Sequence, residues 1–230
     1  MSQERIAIIG GTGDLGFGLA LRWAGAGVPI VIGSRDAQRA QDASDRVKAT
    51  INAAAAQVSV GGFENAEAAA QASIVVLAVP FPAQAAILKS IRDSLKDAIL
   101  VDTTVPLAAT LGGKPTRTVG VWQGSAAEQA RELVPQRVPV LAAFHNVSAD
   151  ALQNLSTPLD CDILVCGDDP AAKEKLFPLV KLIPGLRPLD AGPLEMARIV
   201  EPLTALLISI NRRYKVHHAG LRVTGLPPGA

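Results

Sequence analysis

Two cysteines in 230 residues, Cys161 and Cys166, are too few to staple a chain of this length. Their spacing fits neither a C-x-x-C redox pair nor a zinc knuckle, so they are expected as free thiols in a reducing cytoplasm. Charge of one sign is missing too: 22 Lys+Arg against 21 Asp+Glu leave a formal charge of +1. A nucleic-acid or anionic-membrane binder needs a basic excess, so neither partner is expected. Aromatics make up only 3% of the residues, too few for base-stacking platforms. No apolar run approaches a membrane span. The start, Glu4 and Arg5 before a short apolar run that stops at Gly10, lacks the parts of a secretory signal. P-loop, G-x-S-x-G and H-E-x-x-H patterns are absent, as are repeats and low-complexity segments. The one tyrosine, Tyr214, has His218 four residues on, so there is no Tyr-x-x-x-Lys proton donor.

What remains is a globular composition, 49% hydrophobic and 19% charged, in a length that suits one large domain with a small appendage. Short β-branched runs alternate with alanine-rich runs of helical period. Strands are expected at Ile6–Ile9, Pro29–Ile32, Val58–Val60, Ile74–Val79, Ala98–Asp102, Val138–Ala142, Ile163–Cys166 and Leu186–Leu189. Helices are expected at Leu15–Ala26, from the capping Asp36 to Thr50, Ala66–Ala72, Ala83–Leu95, Ala126–Val134, Pro170–Ile183 and, as one long apolar helix, Leu194–Asn211. Its Leu203, Leu206, Leu207 and Ile210 are expected to pack on the sheet or on a second subunit. The alternation implies an α/β fold, a Rossmann-type doubly wound parallel sheet with a small C-terminal α/β portion. The division is expected near residue 145: a dinucleotide-binding domain over 1–145 and a smaller portion over 146–230. Ligands of such sheets sit at the C-terminal ends of the strands.

The clearest chemistry is Gly11-Thr12-Gly13-Asp14-Leu15-Gly16 between a strand and a helix. Read as G-x-G-x-x-G, Gly11 permits the tight turn, Gly13 lets a pyrophosphate approach, and Gly16 lets helix and strand pack closely. N–H groups at the helix start then face the phosphates. The second strand selects the dinucleotide. An NAD site usually places a carboxylate at this strand's tip, whereas here Gly33-Ser34-Arg35 follows, with Arg39 one helical turn on. A hydroxyl and two guanidiniums suit the 2′-phosphate of NADP(H). Asp36, the nearest acid, is expected as a helix cap. Val79-Pro80-Phe81-Pro82 lies where the chain passes beneath a dinucleotide, with a steric role or that of an ordinary turn. His145 either flanks the nicotinamide or fills a loop, and His217-His218 has no companion to make a metal site.

Ile8–Gly16, Ile32–Arg35, Val165–Asp169 and above all Gly185-Leu186-Arg187-Pro188-Leu189-Asp190-Ala191-Gly192-Pro193-Leu194 resemble the NADPH-dependent F420 reductases, also called coenzyme F420H2:NADP+ oxidoreductases. The likeness spans nearly the whole chain. It implies a dimeric Rossmann enzyme moving a hydride between NADP(H) and a deazaflavin, coenzyme F420. It places Thr12, Gly13, Asp14 and Leu15 on the pyrophosphate and Ser34, Arg35 and Arg39 on the 2′-phosphate. Val79, Val105 and Ala149 then line the cofactor, and His145 and Val147 stand beside the nicotinamide. The chain reads His145-Asn146-Val147-Ser148-Ala149 where the family usually has His-Thr-Ile-Pro-Ala, which makes that pocket more polar and its tip less rigid.

Transfer between two ring carbons forms no alkoxide, so it fits a chain without an evident proton donor. The anionic tail of the deazaflavin would meet the C-terminal portion, where six basic residues (Arg187, Arg198, Arg212, Arg213, Lys215, Arg222) face three acids. Two other functions stay open at this point. One is an NADP-dependent imine or carbonyl reductase with His145 as donor; the other is a non-catalytic NADP(H)-binding regulator.

Overall fold

The structure, a computed structural model, describes residues 4–51 and 57–227. The chain enters as β1 (Ile6–Ile9), α1 (Asp14–Gly25), β2 (Ile30–Ser34), α2 (Ala37–Thr50), β3 (Val60–Glu64), α3 (Asn65–Ala70) and β4 (Ile74–Leu77). It continues through α4 (Phe81–Ile91), β5 (Ile99–Asp102), α5 (Ala126–Leu133), β6 (Val140–Ala142) and α6 (Ala149–Gln153). Last come β7 (Cys161–Gly167), α7 (Pro170–Lys181), β8 (Leu186–Asp190), α8 (Ala197–Val200) and α9 (Leu203–Tyr214). One eight-stranded sheet runs in the order β3-β2-β1-β4-β5-β6-β7-β8. The central strands are buried at every position, which is why they read as unbroken apolar runs.

The sheet is parallel except between β6 and β7, where Leu141 faces Gly167 and Ala142 faces Cys166 in antiparallel register. The expected Rossmann-type, doubly wound parallel sheet is thus present, with one antiparallel pair at the entry to the C-terminal portion. That reversal brings the start of β7 to the same end of the sheet as the tip of β6. Trp23 of α1 ties the two halves together: its indole N–H donates to the Leu179 carbonyl at 2.8 Å, and its ring meets Phe144 edge-on at 5.7 Å.

Two expectations change. The third strand lies at Val60–Glu64, later than the Val58–Val60 run suggested. The apolar segment after Leu194 is not one helix: a 3-10 turn (Leu194–Met196), α8 and α9 follow one another, with Glu201 and Pro202 between the last two. The ring of Pro202 opposes helix continuation. Glu201 turns inward and accepts from the Ala126 and Ala127 N–H groups at 2.9 and 3.0 Å, capping α5. Burial pushes its carboxyl up to about 8, against the pull of those two donors. Along α9, Leu207 is buried while Leu206 is 52% exposed, so the apolar side is only partly covered within the chain. Among the described residues, no helix is long and apolar enough to cross a membrane.

The C-terminal stretch is pinned by buried charge. Asp162 of β7 is fully buried and accepts from Arg187 Nη2 at 2.6 Å, Arg222 Nη1 at 2.7 Å and the Val223 N–H at 2.7 Å. Burial works against its charge, yet these bonds outweigh it and hold its pKa down at about 2. Asp190 accepts from Lys173 Nζ and from the Gly192 N–H. A side chain at Gly185 (φ +86) would put its Cβ 1.5 Å from the Leu159 carbonyl oxygen. The stretch from Gly185 to Leu194 thus builds β8 and its anchors.

Candidate nucleotide-binding site

At the C-terminal ends of β1, β2 and β4 lies a cleft of about 180 Å³. Its floor is the turn between β1 and α1. Gly10, with φ +87, makes the left-handed bend, and a Cβ there would lie 2.3 Å from the Ala78 carbonyl oxygen. The tight-turn role expected of Gly11 thus falls one residue earlier. Gly11 packs beneath, where a Cβ would meet Ile32 Cγ2 at 3.0 Å. Gly16 does what was expected: a Cβ would sit 2.7 Å from the Gly10 carbonyl oxygen, so only glycine lets α1 come this close. Gly13 caps α1 with no side chain to bond the helix start, which leaves the first-turn N–H groups, from Asp14 and Leu15 onward, open to an anion.

Thr12 and Gly13 line the cleft together with Ser34, Arg35, Arg39, Val79 and Pro80, so the fold gathers most of the expected nucleotide residues. Ser34 ends β2, and its Oγ accepts from the Asp36 N–H at 3.3 Å. Asp36 Oδ1 accepts from the Gln38 and Arg39 N–H groups at 2.9 and 3.2 Å. The nearest acid is therefore committed to capping α2, as its position implied. Arg35 and Arg39 are exposed, and neither side chain has a hydrogen-bond or ion-pair partner among the described residues. Two unpaired guanidiniums beside open helix N–H groups are the donor set that a ligand with more than one phosphate would need.

Asn65, which the sequence reading passed over, also lines this cleft. It opens α3 directly after β3, whose Glu64 pairs with Ser34, so its side chain stands at the neighbouring strand tip. Arg22 was missed as well. It sits buried in α1 and donates to the Leu152, Ala151, Asn154 and Thr157 carbonyls at 2.8, 2.9, 2.5 and 3.0 Å. That bond set fixes α6 to the nucleotide helix. Its only sequence signal was an arginine on a helix face otherwise made of apolar residues.

Eight of the expected residues do not line the cleft: Gly11, Asp14, Leu15 and Gly16 belong to the turn and helix start beside it, and four lie farther along the chain. Val105 is half-buried in the turn after β5, where Asp102 accepts from the Thr104 N–H at 2.7 Å and from Gln84. Burial pushes the Asp102 carboxyl up to about 6, against those bonds. Ala149 begins α6 and packs against Gly18 of α1. His145 follows Phe144, a non-glycine residue held at φ +65, and its ring is enclosed: both nitrogens are buried without a partner. Burial lowers the imidazole to about 3, so it is neutral at working pH.

Val147 lines a second cavity, of about 400 Å³, with Asn146, Ser148, Leu159, Cys161 and Ala219 around it. Asn146 Nδ2 donates to the Asp162 carbonyl at 2.7 Å and to Cys161 Sγ at 3.1 Å. Three of the six basic residues near the C-terminus are spent internally: Arg187 and Arg222 on Asp162, and Arg198 on Glu128 at 2.6 Å. Arg212, Arg213 and Lys215 remain without an acidic partner among the described residues. No cluster of three metal-binding side chains occurs among the described residues.

Residues 5–106 match the family model described as NADP oxidoreductase coenzyme F420-dependent. A protein of Methanothermobacter thermautotrophicus named F420-dependent NADP reductase is 49% identical, over 97% of this chain and 96% of its own length. One of the same name from Methanothermobacter marburgensis is 45% identical over 97% of this chain and 99% of its own. Among solved structures, a putative F420-dependent NADP reductase from Arthrobacter sp. FB24 superposes with a TM-score of 0.79 at 24% identity, covering 96% of this chain and 99% of that one. With close relatives matched end to end and the sheet in place, the chain belongs to the family of F420-dependent NADP reductases.

Proposed function

We propose that the protein is an NADP-dependent oxidoreductase that moves a hydride between NADP(H) and coenzyme F420. The observation that carries the nucleotide half is the pair Arg35 and Arg39, unpaired at the tip of β2 while Asp36 is held as a cap. When both are bound, the nicotinamide supplies a hydride at C4 and the deazaflavin ring takes it at C5. The glycine turn and the α1 N–H groups hold the pyrophosphate, Thr12 beside them. Ser34, Arg35 and Arg39 hold the 2′-phosphate, and Val79 and Pro80 limit the depth of the ring system. Val105, Ala149, His145 and Val147 form the nicotinamide side, and the portion from residue 146 onward receives the deazaflavin in the cavity beside Val147.

The chain's own task is to exclude water and align two rings to about 3–3.5 Å. No protein group has to donate a proton to an alkoxide. The enclosed, neutral ring of His145 suits this reaction and does not suit carbonyl or imine reduction, which calls for a reachable acid. Purified protein given NADPH and oxidised F420 should bleach the deazaflavin absorbance, whereas NADH should be a much poorer donor. Bleaching at equal rates with both nucleotides would refute the role of the two arginines.

The enzyme is further proposed to work as a homodimer in a reducing cytoplasm. Trp122, Ile199 and Leu206 are 98%, 62% and 52% exposed, and Arg198 bonds the Gln123 carbonyl, which brings the Trp122 loop to α8. A second copy of the chain would cover this apolar surface. Sedimentation should give a dimer that Trp122→Ser with Leu206→Ser dissociates.

A further inference from the structure

Asn65 is an unexplained expense in the nucleotide cleft. Its residue is 7% exposed, its Oδ1 is buried with no partner, and its amide nitrogen bonds nothing among the described residues. Leaving that buried oxygen unsatisfied is costly. An alanine would carry no such cost; the Asn65 Oδ1 lies close over Gly33, where a Cβ would approach it to 3.1 Å. The side chain projects among groups already matched to parts of a dinucleotide. Ser34, Arg35 and Arg39 take the phosphate-bearing ribose on one side. On the other side Ala83 and Ile87 of α4, with Ala78 and Val79, form an apolar wall.

An apolar wall next to the ribose site is where the base must lie. None of the residues lining this cleft is aromatic, so the base gains no aromatic stacking platform there and its edge carries more of the recognition. A primary amide carries a donor and an acceptor side by side. Adenine presents the complementary pair, the 6-amino donor next to a ring-nitrogen acceptor, which is why asparagine is a general adenine reader.

We propose that Asn65 selects the adenine base of the dinucleotide, accepting from its 6-amino group and donating to the adjacent ring nitrogen. The proposal rests on the assignment of NADP(H) to this cleft. A rotation about the last side-chain torsion satisfies both amide atoms at once and removes the orphaned oxygen.

The test compares dissociation constants, by titration calorimetry, for NADP+ and for the analogue whose base is purine without the 6-amino group. Wild-type protein should bind the analogue about tenfold more weakly. Asn65→Ala should bind NADP+ about tenfold more weakly and no longer distinguish the two ligands. Arg35→Ala should weaken both ligands equally and keep the distinction, as a phosphate contact must. Equal binding of the two ligands by wild-type protein overturns the proposal without recourse to any variant. So does an Asn65→Ala protein that still prefers NADP+, which would mark Asn65 as a structural residue. If wild-type protein binds neither ligand, the assignment of the cleft fails and the proposal with it; if it binds both tightly and alike, only the proposal fails.

Discussion

At the β1–β2 end of the sheet, Arg35 and Arg39 stand exposed without an acid, and Asn65 is buried without a partner. At the β7–β8 end, Arg187 and Arg222 close on Asp162, Lys173 closes on Asp190, and even a tail carbonyl is bonded. Both ends are rich in charged and polar groups, but the ion pairs of the β7–β8 end close within the chain, whereas the two guanidiniums at the β2 tip have no partner among the described residues. Unsatisfied polar groups cost stability, so a fold keeps them where a ligand completes them; satisfied ones belong to the architecture. On that ground the groups at the β2 tip are the candidates for ligand binding, and those around Asp162 and Asp190 belong to the architecture. The stretch from Gly185 to Leu194, the most distinctive in the sequence, belongs to the second kind.

The largest effect is expected at Asp162. Asp162→Ala leaves two guanidiniums and an N–H facing a void, and should cost about 3 kcal/mol in urea unfolding. This is the lower end for a buried pair because Arg187 and Arg222 side chains are 35% and 36% exposed. NADPH affinity of the folded variant should not change; a large loss of affinity at intact stability would erase the distinction between the two ends. Arg35→Ala should do the opposite, weakening NADPH about 10- to 100-fold while the melting temperature stays put. An unchanged affinity would remove Arg35 from the site.

The smallest effect concerns the ring between the two ends. The folded pKa of His145 lies near 3, below the ordinary 6.5, so its neutral form stabilises the fold fully above pH 6.5. As pH falls from there toward 3, the unfolded chain takes up a proton that the folded one refuses. That contribution should amount to about 1.4 kcal/mol by pH of about 5.5. Comparing His145→Gln with wild type across this range isolates it. Parallel stability curves would show that the ring is reachable by solvent rather than enclosed.

Much of this layout is legible in the chain. The glycine turn and the Ser34-Arg35 tip can be read because each requirement is local, set by residues adjacent in sequence. Asp36 was readable as a cap for the same reason. Asn65 was not, because β3 carries Gly61 and Gly62, and a weak strand gives no register. Gly62 is there because a Cβ would lie 2.3 Å from the Ala40 backbone, a contact with α2 that no local pattern announces. With the strand expected at Val58–Val60, Asn65 falls in the loop before the expected Ala66–Ala72 helix rather than at the strand tip next to Ser34. The antiparallel turn into β7 was hidden likewise, since a strand's apolar pattern does not state its direction. Nor can a count of basic residues show that half of them are neutralised by Asp162 and Glu128.

The most direct measurement follows one deuterium. NADPH carrying deuterium at C4, on the transferred face, is mixed with oxidised F420 and stoichiometric enzyme in ordinary water, and the reduced deazaflavin is analysed by mass spectrometry and NMR. The label should appear at C5 of the deazaflavin within a single turnover, as contact between two aligned rings demands. Loss of the label to water, or label retained on NADPH with no reduced deazaflavin formed, would contradict direct transfer in this fold.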